Sequence, residues 1–308
     1  MLEDIQNKQS HYLMKYYIYT FLALLFVVGC NSVGNNKPTV SVTIEPQRYF
    51  VEMIAGDNFK VNTIVPAGTS PETYDPTPSQ MVALSKSVLY FQVGHLGFEN
   101  AWGKTLAENN AEVKVVNTSF EIILIEGDSS ENIIGDHKHD DDDGHNHSGV
   151  DPHIWSSPKS ALLMAENILN ALVMADVENQ KLYRENFEVL KEKIFETDKK
   201  ITALLENAPV KSFIIYHPAL SYFARDYNLT QYSIEFEGKS PSPQQLKQMI
   251  DLAHEEGIRT IFVQKGFDLK NAESLAKEVD ASIYSIDPLS YNWSEELIKI
   301  AEILSKNE

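Results

Sequence analysis

The sequence predicts a two-lobed α/β protein, each lobe holding a four-stranded, mainly parallel sheet flanked by helices, with one long rigid helix joining the lobes. Three observations predict it. β-Branched runs fall into two sets of four, with helical or loop-like sequence between successive runs. A long amphipathic stretch lies between the two sets. The 308 residues, 43% of them hydrophobic, suffice for two cores rather than one.

The chain starts with a segment that belongs to neither lobe. Residues 16–29, YYIYTFLALLFVVG, form an apolar run preceded by Lys15 and ending at Cys30. The run is short for a permanent bilayer anchor. Its basic start, apolar stretch and small residues beside the only cysteine favour a secretory signal over a buried N-terminal helix. Val27-Val28-Gly29-Cys30 resembles a bacterial lipoprotein lipobox, with valine where leucine is usual. Cleavage there makes Cys30 the lipidated first residue, anchored in membrane lipid and facing the periplasm or cell exterior. Residues 1–29 are therefore expected to be the signal peptide, with Met14 as its true start if the first residues are a mis-called extension, and 30–38 a lipidated tether. One cysteine permits no internal disulfide.

The first lobe is expected over 39–175, with strands at 39–44, 59–65, 88–93 and 113–116. Inserted late in it is GDHKHDDDDGHNHSG, residues 135–149, which contains no large apolar side chain and so reads as a solvated loop outside any core. A helix then starts at Ser157, which caps it, with Pro158 in the first turn and Ala161, Ala165, Ile168 and Leu172 along one face. Next, Tyr183, Phe187, Leu190, Ile194, Thr197, Ile201 and Leu204 recur in alternating steps of four and three, the stripe of a single helix. Over 177–206 that helix would run about 45 Å. The stripe is too short, and Thr197 too polar, to favour a heptad coiled coil. This connector, 176–207, leads into a second lobe over 208–308, with strands at 212–216, 231–234, 260–263 and 282–286 and amphipathic helices at 243–255 and 271–279.

Charge and position indicate the chemistry. With 26 basic against 44 acidic residues the net charge is −18, which repels phosphate backbones and disfavours nucleic acid, so no nucleic-acid partner is expected. Cations suit it better. Open α/β sheets leave a crevice beyond the carboxyl ends of their strands, and four polar residues fall there or in adjoining loops. His217 follows SFIIY, Asp287 follows SIYSI, Glu72 lies after NTIVPAGTSP, and His153 sits in Asp-Pro-His-Ile-Trp at a helix start. Any one alone is the kind of residue that caps a helix or closes a turn. Converging, two imidazoles and two carboxylates make a four-ligand site for a borderline metal. A metallohydrolase is the rival class. The sequence has no H-E-x-x-H helix, no G-x-S-x-G elbow and no phosphate loop, so no enzyme is expected.

The stretches VPAGTSPETYDPTPSQM, VGHLGFENAW, the His/Asp loop, DPHIWSSP, YHPALSYFARDYNL, EGKSPSPQQL and IDPL occur in an order and spacing that resemble the zinc and manganese receptors of ABC importers, the cluster A-I solute-binding proteins of the zinc-receptor type. The resemblance covers nearly the whole exported chain. It implies two α/β lobes joined by a rigid helix, a metal ion in the cleft between them, and delivery to an importer permease by a monomeric lipoprotein. His153 and His217 stand where the family has histidine ligands, and Asp287 where it has a carboxylate. Glu72 departs from the pattern, replacing a usual histidine, and that harder oxygen ligand leans towards manganese. His95 stands as an alternate ligand, against its reading as a surface histidine in a strand-to-helix turn. His137, His139, His145 and His147 resemble the His-rich loop of zinc receptors, which favours Zn2+ over Mn2+; such a loop would bind ions weakly because ordering it costs entropy.

Overall fold

Short runs of β-branched and aromatic residues alternate with helices to build the fold, and some of the helices start at side-chain caps. The computed structural model describes residues 37–102, 112–126, 149–235, 240–267 and 269–306. The signal sequence, Cys30 and His137, His139, His145 and His147 lie outside the described residues.

In the first lobe β1 (Thr39–Val42) leads through α1 (Glu45–Ala55) to β2 (Lys60–Thr63), and α2 (Pro78–Ser85) leads to β3 (Ser87–Gln92) and then β4 (Lys114–Asn117). The strands pair in the order β2-β1-β3-β4, every pair parallel. β1 stops two residues short of the expected end, because Thr43 and Ile44 turn into α1. Their amides donate to Gln47 Oε1 at 3.0 and 3.3 Å, so the chain is already committed to the helix start. α2 begins with a reciprocal box in which the Gln80 amide donates to Thr77 Oγ1 and the Thr77 amide to Gln80 Oε1.

Two helices follow. α3 (Pro158–Ala175) starts where Ser157 Oγ accepts from the Lys159 and Ser160 amides, and Ala161, Ala165, Ile168 and Leu172 are all buried. After a 3-10 turn at Val177–Asn179, α4 (Gln180–Leu205) carries the stripe of Tyr183, Phe187, Leu190, Ile194, Thr197 and Ile201 into the core. The last position is corrected: Leu205 is buried and Leu204 only partly so, since a helix of 3.6 residues per turn drifts relative to strict three-four spacing. Thr197 does not interrupt the stripe, because its hydroxyl donates to Lys193 O and meets Ser294 Oγ inside the core.

The second lobe repeats the winding. β5 (Ser212–Ile215), α5 (Ser221–Asp226), β6 (Thr230–Ser233), α6 (Pro243–Glu255), β7 (Thr260–Gln264), α7 (Lys270–Val279), β8 (Ser282–Ile286) and α8 (Trp293–Ser305) give a parallel sheet in the order β6-β5-β7-β8. The helix joins the two. Its first half meets lobe 1, with Asn186 Nδ2 donating to Ile54 O, and its second half meets lobe 2 through Thr197–Ser294 and Tyr227 Oη donating to Asp198. One continuous core includes Val42, Phe91, Leu190, Ile194, Phe213 and Phe262, while the opposite face of each sheet packs a smaller cluster of its own. In both sheets the connections reverse direction beside the central strand, which opens a crevice at its carboxyl end.

Candidate metal centre

Strand ends and turns aim four of the sequence-predicted residues at one cleft. His217 comes just after β5, and the end of β7 pins its backbone. Its amide donates to Gln264 Oε1 at 3.3 Å, and the Gln264 side-chain amide donates back to His217 O. β5 and β6 pair with Ile215 opposite Ser233. Two residues further on, the same register puts His217 opposite Glu235, whose Oε2 lies 2.9 Å from His217 Nδ1. Phe267 stacks on the imidazole at 5.7 Å between centroids.

His153 lies ahead of α3, before the 3-10 turn Ile154–Ser156. Asp151, two residues earlier, folds back as an Asx turn: its Oδ1 accepts from the His153 amide at 2.8 Å and sits 2.9 Å from Nδ1. Both imidazoles thus have Nδ1 committed to a carboxylate, which leaves Nε2 for a ligand. Glu72 occupies the loop between β2 and α2. Its Oε2 accepts from the Gly97 amide at 3.2 Å, and its Oε1 is buried with no hydrogen-bond partner.

Ligand atoms of Glu72, His153 and His217 all lie within 4.8 Å of one another, the only such group among the described residues. Asp287, after β8, is outside that group but lines the same pocket together with Pro71, Trp155, His153, His217 and Phe267. Glu296 Oε1 accepts from the Asp287 amide at 2.8 Å and holds the loop's start. His95 is not in the group. It is partly buried in the turn after β3, and burial lowers its pKa.

Burial opposes a charged His153, but the Asp151 charge and hydrogen bond, with Glu72 adding, outweigh it and hold the imidazole above its ordinary pKa. Burial likewise acts to raise Asp151, and the His153 charge and hydrogen bonds prevail to hold it below the usual carboxylate range. Glu72, with one buried oxygen left without a partner, and two oriented imidazoles are donors of the kind that bind a divalent cation.

A model of the family described as "ZnuA: Zinc-uptake complex component A periplasmic" matches residues 40–305. The chain belongs to the ZnuA family. A solved ZnuA crystal structure superposes with a TM-score of 0.79 at 34% identity, covering 88% of this chain and 99% of that one. Among curated relatives, the "Zinc-binding lipoprotein AdcA" of Streptococcus pneumoniae is 28% identical over 93% of this chain. This chain spans 58% of that relative's length. A "Putative metal-binding protein" of Chlamydia muridarum is 26% identical over 91% of this chain and 96% of its own length.

Several residues that shape the ZnuA-type cleft carry no clear signal in the sequence. Asp151 had one, the Asp-x-His spacing of an Asx turn. Glu235, Gln264 and Phe267 had none, because strand pairing brings each to His217 from 18, 47 and 50 residues away.

Proposed function

We propose that this chain is an extracytoplasmic receptor that captures one divalent ion, zinc ahead of manganese, and hands it to the permease of an ABC importer. The ion is held by Glu72, His153, His217 and Asp287 in the cleft between the lobes. The observation that carries this reading is the grouping of Glu72, His153 and His217 at ligand distance, in which Glu72 keeps a buried, unpartnered Oε1 and both imidazoles have Nδ1 already taken. A carboxylate oxygen stripped of water and left without a donor costs roughly 1–3 kcal/mol or more, and a bound cation removes that cost. Family membership and the zinc-binding names of the relatives support the same reading. Lipidation of Cys30 keeps the receptor at the membrane beside the permease. The loop histidines His137, His139, His145 and His147 collect ions weakly and in several geometries. His95 serves the turn rather than the ion, consistent with its place outside the ligand group.

Titration of metal-stripped protein tests the reading. One tight zinc phase is expected, abolished by His153→Ala with His217→Ala, and a weak phase removed by deleting residues 136–147. Zinc should displace manganese in direct competition. Absence of a saturable tight phase refutes the receptor reading.

A further inference from the structure

Glu72 is held by something other than the ion. Its Oε2 accepts from the Gly97 amide, and Oε1 alone is left without a partner. Position 97 admits this only as glycine. A Cβ there would lie 2.4 Å from Glu72 O and 3.2 Å from Oε2. The turn that presents the Gly97 amide is itself clamped from beneath. Buried Glu99 accepts from the Val93 amide at 2.7 Å, the Gly94 amide at 2.6 Å and the Thr43 hydroxyl at 2.6 Å. Gly94 has φ +115°, and a Cβ on it would run into Asn117 Oδ1 at 2.3 Å, so the turn has little room to move.

We infer that Gly97 is a specificity-determining residue: by reserving Oε2, it restricts Glu72 to a single coordinating oxygen. The inference rests on the proposed metal-receptor reading and names what sets its ion preference. Carboxylates bind metals through one oxygen or two. With Oε2 tied to a backbone amide and Oε1 free, Glu72 occupies one position around the ion. Two imidazole nitrogens and one oxygen each from Glu72 and Asp287 then make a four-ligand set, which suits tetrahedral zinc. Manganese prefers six, mostly oxygen, ligands and gains from a chelating carboxylate. The Gly97 amide competes for that extra oxygen and so disfavours chelation. Glu72 would lean towards manganese if both of its oxygens were free; anchored, it acts much as the single-nitrogen histidine it replaces.

The test uses the full chain loaded with cobalt as a spectroscopic probe, and zinc against manganese in competition. The native protein should give the strong visible absorption of four-coordinate cobalt. Gly97→Ala drives Glu72 away from the turn and frees Oε2. It should weaken that absorption towards a higher-coordinate spectrum and narrow the zinc-to-manganese preference on the order of 10–100-fold, the usual effect of losing an outer-shell partner. Glu99→Gln gives a second route. Burial pushes the Glu99 carboxyl up to about 7 against the hydrogen bonds that hold it down, so the neutral amide resembles a form the fold already tolerates. It should loosen the turn and move both readouts in the same direction, and it decides the matter if Gly97→Ala does not fold. Folded variants with the native spectrum and preference overturn the inference and leave the receptor reading standing. A native protein that binds zinc tightly but gives a five- or six-coordinate cobalt spectrum does the same. A native protein with no tight phase overturns both.

Discussion

Asp151 reaches His153 from a turn two residues away and does two things there. It fixes the tautomer by occupying Nδ1, and its charge holds the buried imidazole above the ordinary histidine pKa against the opposing effect of burial. Zinc needs the unprotonated Nε2. Apparent affinity should therefore fall as pH drops through that raised value towards the ordinary histidine range. The metal-free fold responds oppositely. The protonated His153–Asp151 pair stabilises it below the ordinary histidine value, and that stability is lost as pH rises through the raised one. Asp151→Asn should weaken zinc binding on the order of 10–100-fold and move the onset of proton competition to lower pH, checked by calorimetric titration over that range. At this scale the sequence was partly legible. The ligand candidates stood out as His and acidic residues after strands, in an adjoining loop or at a helix start, whereas the Asp-x-His spacing of Asp151 marks a turn without showing a partner for His153. Glu235 could not be found that way, because its place opposite His217 depends on the β5–β6 register.

Among the elements, α4 depends on which of its apolar residues are buried. Ile194 is fully packed, whereas Phe195 is 47% exposed despite being the larger hydrophobe. Ile194→Ala should cost roughly 2–5 kcal/mol, whereas Phe195→Ala should stay within about 0.5 kcal/mol, both read from the denaturant midpoint. Ser157 accepts from two amides at the start of α3 and also donates to Asp226 in lobe 2. Ser157→Ala should therefore cost more than the about 1 kcal/mol of an ordinary helix cap, with Ser157→Asn, which keeps a capping oxygen, recovering only part of it. Periodicity found α4 because a helix in a core must show its stripe in sequence. It misplaced the stripe's end at Leu204, and it could not show how Thr197 is satisfied inside the core, because its partner Ser294 lies 97 residues away.

In the whole molecule the lobes are stitched together close to the cleft. Trp155 Nε1 donates to Pro288 O at 2.8 Å, and Trp293 Nε1 donates to Trp155 O at 2.6 Å. Tyr222 Oη donates to Asp151 O at 2.7 Å, and Tyr291 Oη to Glu52 at 2.7 Å. With α4 packed against both lobes as well, wide hinge closure would break buried hydrogen bonds on several elements at once. Zinc should therefore leave the radius of gyration unchanged in small-angle scattering, while at a thousandfold excess over Kd it stabilises the fold by about 4 kcal/mol, seen as a rise in Tm. A marked contraction on loading would contradict the stitched interface. Trp155→Phe frees Pro288 beside Asp287, and it should weaken zinc binding more than it lowers the Tm of the metal-free protein.

The alternation of strand and helix, the cap at Ser157, the long connecting helix and the candidacy of His153, His217, Glu72 and Asp287 as ligands were all legible in the sequence. These depend on local periodicity, hydrogen bonding within a few residues, and side-chain chemistry. Only the tertiary structure decided that Glu72 keeps a single free oxygen, that both histidines turn Nδ1 to carboxylates, and that His95 stands apart from the ligand group. Those outcomes depend on ångström-scale approaches between segments far apart in the chain, set by strand register and by the lack of a Cβ at Gly97, and no local pattern encodes them.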